Sequence, residues 1–116
     1  MTNQLSVNEA LDHLDRLNGA PVIVRGILHF EFEHIALWHY PKAERRDTEP
    51  FGWASSSIWL STGSGSVQFN ESGLKQLHGH RVAVSGTLHA PDPHLGGCGH
   101  FSANPAEILV SSIDRV

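Results

Sequence analysis

Leu17-Asn-Gly19-Ala-Pro-Val22-Ile-Val24-Arg-Gly26-Ile-Leu28-His29 returns sixty residues later as Leu77-His-Gly79-His-Arg-Val82-Ala-Val84-Ser-Gly86-Thr-Leu88-His89. Both copies read Leu-x-Gly-x-x-Val-x-Val-x-Gly-x-Leu-His in one register. Each describes a helix that ends on an apolar residue and is stopped by a Gly in the left-handed position beyond its last turn. A strand with alternating valines follows, and a second Gly inside it marks a bulge, a sharp bend or a close backbone approach. A unit of helix, stop and bent strand used twice in a small chain points to a closed or nearly closed sheet.

The 116 residues make one domain, 1–116. A chain of this size buries roughly two-thirds of its unfolded surface and needs no staple to hold a modest core. Eight Lys and Arg stand against twelve Asp and Glu, a net charge of −4. The basic excess that gives most non-specific nucleic-acid affinity is therefore missing as a bulk property. Cys98 is single, so no internal disulfide marks an oxidising compartment. Met1-Thr-Asn-Gln-Leu-Ser6 has neither the cationic start nor the apolar run of a signal peptide, and no apolar stretch reaches membrane-spanning length. The expectation is a cytoplasmic protein with no membrane partner.

Ser6-Val-Asn-Glu9 has the form of a capping box. Behind it Val7, Ala10, Leu11, Leu14 and Leu17 recur at helical spacing, which predicts one helix from about Val7 to Leu17 packed on the sheet through its apolar stripe. Strands are expected at Val22 to about Phe30, His34 to Tyr40, Ser55 to Ser61, Val82 to His89 and Glu107 to Ile113. In the first, Val22, Val24, Leu28 and Phe30 share one parity with Phe32, while Arg25, His29, Glu31 and Glu33 share the other. That alternation turns the apolar set inward and the charges outward. Pro41 to Ala54 reads as a long charged loop, and Thr62 to Ser66 as a flexible turn. Asn70 is placed to cap a short helix that carries Leu74 and Leu77 and stops at Gly79. Five strands with a helix between the third and fourth is the connectivity of the OB-fold, a Greek-key barrel. The predicted class is thus all-β with two short helices: a five-stranded OB-like barrel with an N-terminal helix.

The two Val-x-Val-x-Gly strings, Phe30-Glu-Phe-Glu33, Ala36-Leu37-Trp38, Ile58-Trp59-Leu60 and Gly99-His100-Phe101-Ser102 together resemble a family of small uncharacterised bacterial OB-fold-like proteins. The resemblance runs from Leu17 to Ile113. It implies a bacterial source, and by association with other such proteins a role as an immunity partner of a secreted toxin. It carries no functional residues over.

Trp38, Tyr40, Trp53 and Trp59 fall in or beside the second and third strands and the loop that joins them. OB-folds bind ligands on this face and through its flanking loops. With Ile35, Leu37, Ile58 and Leu60 as core, Trp38 and Trp59 stand on the outer face, where a base or a partner can stack. Alternatively, the first helix or the long loop covers them and makes a second small core.

His94, Cys98 and His100, with His89 nearby, form the tightest group of metal-ligand types. They sit in a Gly-rich loop with one thiol and no paired anchor, so they read as loop residues and no metal or other cofactor is expected. Cys98 and Ser55-Ser-Ser57 lie in no nucleophile elbow and beside no placed base. Glu31 and Glu33, two apart on one strand face, resemble a carboxylate pair but equally suit solvated charges on an exposed strand. No enzyme signature remains.

Two binding classes stay open. One is a protein-binding module, an inhibitor or immunity protein, whose acidic Glu31, Glu33, Glu44, Asp47 and Glu49 face a basic toxin around Trp38 or Trp59 as anchor. The other binds single-stranded nucleic acid or an oligosaccharide on the second and third strands. The acidic balance favours the first, and the habits of the fold favour the second.

Overall fold

The computed structural model describes residues 4–31, 34–49, 51–61, 71–91, 97 and 104–116. In chain order these form β1 (Gln4–Ser6), α1 (Val7–Asp12), α2 (Leu14–Leu17), β2 (Pro21–Glu31), β3 (His34–Trp38), a 3-10 turn at Lys42–Glu44, β4 (Ser57–Ser61), α3 (Glu71–Leu77), β5 (Arg81–His89) and β6 (Glu107–Arg115). The strands belong to one six-stranded sheet. Its pairings run in a ring, β2 to β3 to β4 to β6 to β5 and back to β2, and β1 lies outside that ring along β2. All pairs are antiparallel except β4 with β6 and β1 with β2.

The repeated sequence is the heart of this ring. β2 and β5 pair antiparallel about Val24 opposite Val84, two residues that occupy the same place in the two copies. The helix stops then bond across the pair. Gly19 donates its N–H to the carbonyl of Leu88 at 2.7 Å, and Gly79 donates to that of Leu28 at 2.8 Å. Leu28 and Leu88 return the bond to His80 and Ala20, each at 3.1 Å. Gly19 and Gly79 have φ of +82° and +81°, the left-handed conformation that costs an ordinary residue a Cβ clash.

The expected alternation in β2 is present. Val22, Val24 and Leu28 are buried and Phe30 is half-buried, while Arg25 and Glu31 are exposed. Inside the ring these residues meet Leu37, Ile58, Leu60, Val82, Val84, Leu88, Ile108 and Val110, with Val7 and Ala10 of α1 and Leu74 of α3 added from outside the strands. Each fully buried Leu or Ile contributes about 1.5–3 kcal/mol by leaving water.

Several boundaries differ from the sequence expectation. The single helix over Val7 to Leu17 is broken at His13, whose φ and ψ of −112° and 21° leave the helical region. The two pieces answer to different anchors. Asn8 and Asp12 bond to the loop after β3, whereas the segment after Leu17 must reach β5 through Gly19. One straight helix does not serve both. Leu14 is consequently half-buried rather than enclosed. The capping box itself is formed: the Ser6 hydroxyl accepts from Glu9 N–H at 3.1 Å, and the Glu9 carboxylate accepts from Ser6 N–H at 2.9 Å. The strand of three residues before it, β1, is a sixth strand beyond the five expected, too short to show any alternation. β3 ends at Trp38 rather than Tyr40, β4 begins at Ser57 rather than Ser55, and β6 runs on to Arg115. Among the described residues no helix is long and apolar enough to cross a membrane. Phe32, Glu33, Asn70, the turn at 62–66 and the group His94, Cys98 and His100 lie outside the described residues.

Candidate binding face

The register of β2, β3 and β4 decides which side chains share their outer face. Ile27 pairs with Trp38 and Trp38 with Ser57, while His29 pairs with Ala36 and Ala36 with Trp59. Paired residues in a sheet point to the same side. Leu37 and Ile58 are fully buried in the core, so Trp38 and Trp59 stand on the outer side, two rungs apart on neighbouring strands. Both are half-buried.

What covers Trp38 is the loop between β3 and β4, and a buried polar network sets that loop. His39 is 2 % exposed. Its Nδ1 accepts the N–H of Asn8 at 3.2 Å, so in the neutral ring Nε2 carries the proton and donates to Glu44 Oε1 at 3.0 Å. The Asn8 amide donates to the Glu44 carbonyl at 2.9 Å and accepts from the Ser56 hydroxyl at 2.6 Å. Ser56 Oγ in turn accepts from Arg46 N–H at 2.8 Å, and the Arg46 guanidinium grips both oxygens of Asp12 at 2.7 and 2.9 Å. The three consecutive serines considered as nucleophiles are thus structural. Ser55 bonds to backbone carbonyls of its own loop, Ser56 to Asn8, and Ser57 to the carbonyl of Ala54 while accepting from Asn104.

With its backbone fixed, the loop delivers two side chains to the face. Arg45 donates Nε–H to the His39 carbonyl at 2.9 Å and holds its guanidinium 5.4 Å from the centre of the Trp38 ring. Burial pulls Arg45 below the ordinary arginine value, yet a guanidinium remains charged in any protein. Trp53 lies nearly flat on Trp38, ring centres 5.3 Å apart and planes 13° apart, while remaining 68 % exposed itself. The Trp38 Nε1–H is buried beneath with no acceptor among the described residues. The loop therefore lies over Trp38 on the outer face, and in doing so displays another indole.

Beside this stack is a cleft of about 470 Å³. Trp38, Trp53 and Arg45 form one side, Ile27, Leu28 and His29 of β2 the floor, and His78 and Gly79 after α3 the other side. His78 Nδ1 accepts the N–H of Phe30 at 3.0 Å, which fixes its ring 5.2 Å from that of His29. His29 is held below the ordinary histidine value, first by burial and then by the nearby His78, with Glu31 opposing. No described residue in the lining carries a side-chain carboxylate. Such a surface stacks rings and offers N–H donors to acceptors.

The remaining candidates lie outside the lining of this cleft. Tyr40 is 46 % exposed, and the Arg81 guanidinium sits 4.4 Å above its ring. Glu31 is exposed at the end of β2, 3.7 Å from His29 Nε2, and Glu33 is outside the described residues. The structure brings together Trp38 and Trp53, while Tyr40 lies beyond the end of β3 with Arg81. Arg45, His29 and His78 were not singled out from the sequence. Only the repeat's position for His29 and the charged loop from Pro41 to Ala54 pointed near them.

No protein-family model matches the chain, and no curated protein matches it significantly. Among solved structures it is similar to the crystal structure of a DUF3299 family protein from Pseudomonas aeruginosa PAO1, with 13 % identity and a TM-score of 0.48. The alignment covers 87 % of this chain and 64 % of that one, so the chain spans less than two-thirds of its neighbour's length.

Proposed function

We propose that this chain is a non-enzymatic protein-binding module, an inhibitor or immunity protein of bacterial origin, that docks its partner on the outer face of β2, β3 and β4. The observation that carries the reading is Trp53: a large aromatic side chain 68 % exposed yet held flat on Trp38. Exposed large aromatics held rigid lose little entropy on binding, and Trp, Tyr and Arg dominate the energetics of protein interfaces. Trp38 lies beneath it and Arg45 sits over the same Trp38 ring. The exposed carboxylates Glu31, Asp47 and Glu49 suit the basic residues of a toxin at the rim. An OB-like Greek-key barrel is the architecture that fits best. The ring order, the parallel β4–β6 closure and the helix between β4 and β5 support it, and its ligand face is the one described. A single cysteine suits a reducing cytoplasm.

Single-stranded nucleic acid is the second reading, favoured by the two guanidinium-over-ring pairs, Arg45 on Trp38 and Arg81 on Tyr40. The net charge of −4 weighs against it. The test compares the wild type with Trp53→Ala as bait in lysate of the source organism, and titrates both with a fifteen-residue oligothymidylate followed by tryptophan fluorescence. Stoichiometric capture of one protein, lost in Trp53→Ala, together with no quenching by oligonucleotide, is expected. Micromolar, salt-sensitive quenching that Trp53→Ala abolishes would replace the protein partner by nucleic acid.

A further inference from the structure

A second cleft, of about 210 Å³, lies along β2 beside Arg25 and Gly26, and its charged donors are arginines. Ile27 pairs with Arg81 and Arg25 with Ala83, which makes Arg25 and Arg81 diagonal neighbours across β2 and β5. Long side chains reach one another at that spacing, and two like charges there repel. Arg81 is steadied on the Tyr40 ring, and Ser6 and Tyr40 complete the polar wall.

The nearby carboxylates, which include that of Val116 in the cleft wall, form no ion pair with either arginine among the described residues. Glu9 is engaged by Ser6 N–H in the capping box, although the field of Arg25 helps to hold its carboxyl low. Asp114 shares the outer face with Ala83 across β5 and β6, yet among the described residues neither it nor any other carboxylate forms an ion pair with Arg25 or Arg81. The Ser6 hydroxyl accepts from Glu9 N–H and donates its own proton to the Glu9 carboxylate, so it is part of the cleft wall and not a free donor.

We infer that this cleft is an oxyanion site that takes a carboxylate or a phosphate monoester, with the Arg25 and Arg81 guanidinia as paired donors. Charge-assisted donors converging on a small cavity are what such a group requires. The inference goes beyond the aromatic docking face and stands without it, since none of these donors touches Trp53.

The test titrates the protein with inorganic phosphate and, separately, with acetate at constant ionic strength, followed by backbone amide shifts. Saturable shifts at Ser6, Gly26 and Val82 are expected, with His78 and Gly79 unmoved. Arg25→Gln and Arg81→Gln, both exposed positions, should each weaken the response at least about tenfold, the loss of one charged hydrogen bond, and leave the remaining spectrum superimposable. Tighter phosphate than acetate assigns the group to a phosphate ester, and acetate at least as tight assigns it to a carboxylate on a partner. Shifts that never saturate, or that persist unchanged in the double variant, would overturn the site.

Discussion

At the scale of single residues, the glycines inside the repeated strands carry more than conformational freedom. A Cβ on Gly26 would lie 2.5 Å from the Trp38 carbonyl and 2.9 Å from Leu37, and one on Gly86 would meet the Leu109 carbonyl, beside the register shift between Ser85 and Gly86. The sequence placed a bend or a close approach at both positions, and close approach is the reason. Gly26→Ala should therefore cost about 1–3 kcal/mol, the range for overpacking against atoms that cannot retreat. Urea unfolding measures it, and a loss below about 0.5 kcal/mol, typical of a neutral surface site, would mean that β2 and β3 separate easily. His29 supplies a second residue-scale expectation. Burial and His78 lower its proton affinity in the folded protein relative to the unfolded chain. The unfolded state thus binds the extra proton, so stability is full above the ordinary histidine value of about 6.5 and declines as pH falls through it. Glu9, bonded by Ser6, and Asp12, bonded by Arg46, are also lowered and continue the loss at more acid pH. In His29→Gln the upper part of this decline, between about pH 7 and the acid side of the histidine range, should flatten in a series of urea midpoints. An unchanged slope would remove His29 as its source.

At the scale of elements, legibility followed periodicity. β2 and β5 were evident because their valines alternate and their glycine stops repeat, and the capping box was evident because it is local. The break at His13 was not, since Val7 to Leu17 keeps its helical spacing through the break. Its cause lies in Asp12 gripping Arg46 and Asn8 bonding to Glu44, contacts more than thirty positions apart. The loop before β4 was opaque for the same reason. Its order comes from His39, Ser56 and Asn8 satisfying one another, and hydrogen bonds across such distances leave no period in the sequence. Trp53 shared that fate: its type marked it, but nothing local showed that it would lie on Trp38. The broken helix changes what truncation should cost. Leu37 is fully buried within the ring, and Leu37→Ala should cost about 2–5 kcal/mol. Leu14 only packs against the core from the short α2, so Leu14→Ala should cost no more than about 2 kcal/mol, the lower edge of that range. Equal losses in denaturant unfolding would mean that α1 and α2 bury their stripe as one continuous helix.

At the scale of the whole molecule, β2 is the member to which the rest is tied. Along one edge it bonds first to β1, at 23–25, and then to β3, at 27–31, and along the other it bonds to β5 over 21–27. Its two ends are fastened again by the helix stops, through Gly79 on Leu28 and Gly19 on Leu88. No part of β2 can open without parting at least one of these ladders, and closing the ring through β4 and β6 leaves the opening no cheap place to begin. β1 is different. It has three residues and one partner, and it ends on Ser6, the cap that begins α1. Because exchange of an amide with solvent reports the free energy of the smallest opening that frees it, the molecule should separate into two classes under native conditions. Amides of β2 and β5 should exchange only through global unfolding, at one common free energy equal to that from urea denaturation. Amides of β1 should exchange at least about tenfold faster, by local detachment. Hydrogen exchange followed by NMR resolves the two classes. Exchange in β2 as fast as in β1 would show that the ring of pairings does not act as one cooperative unit.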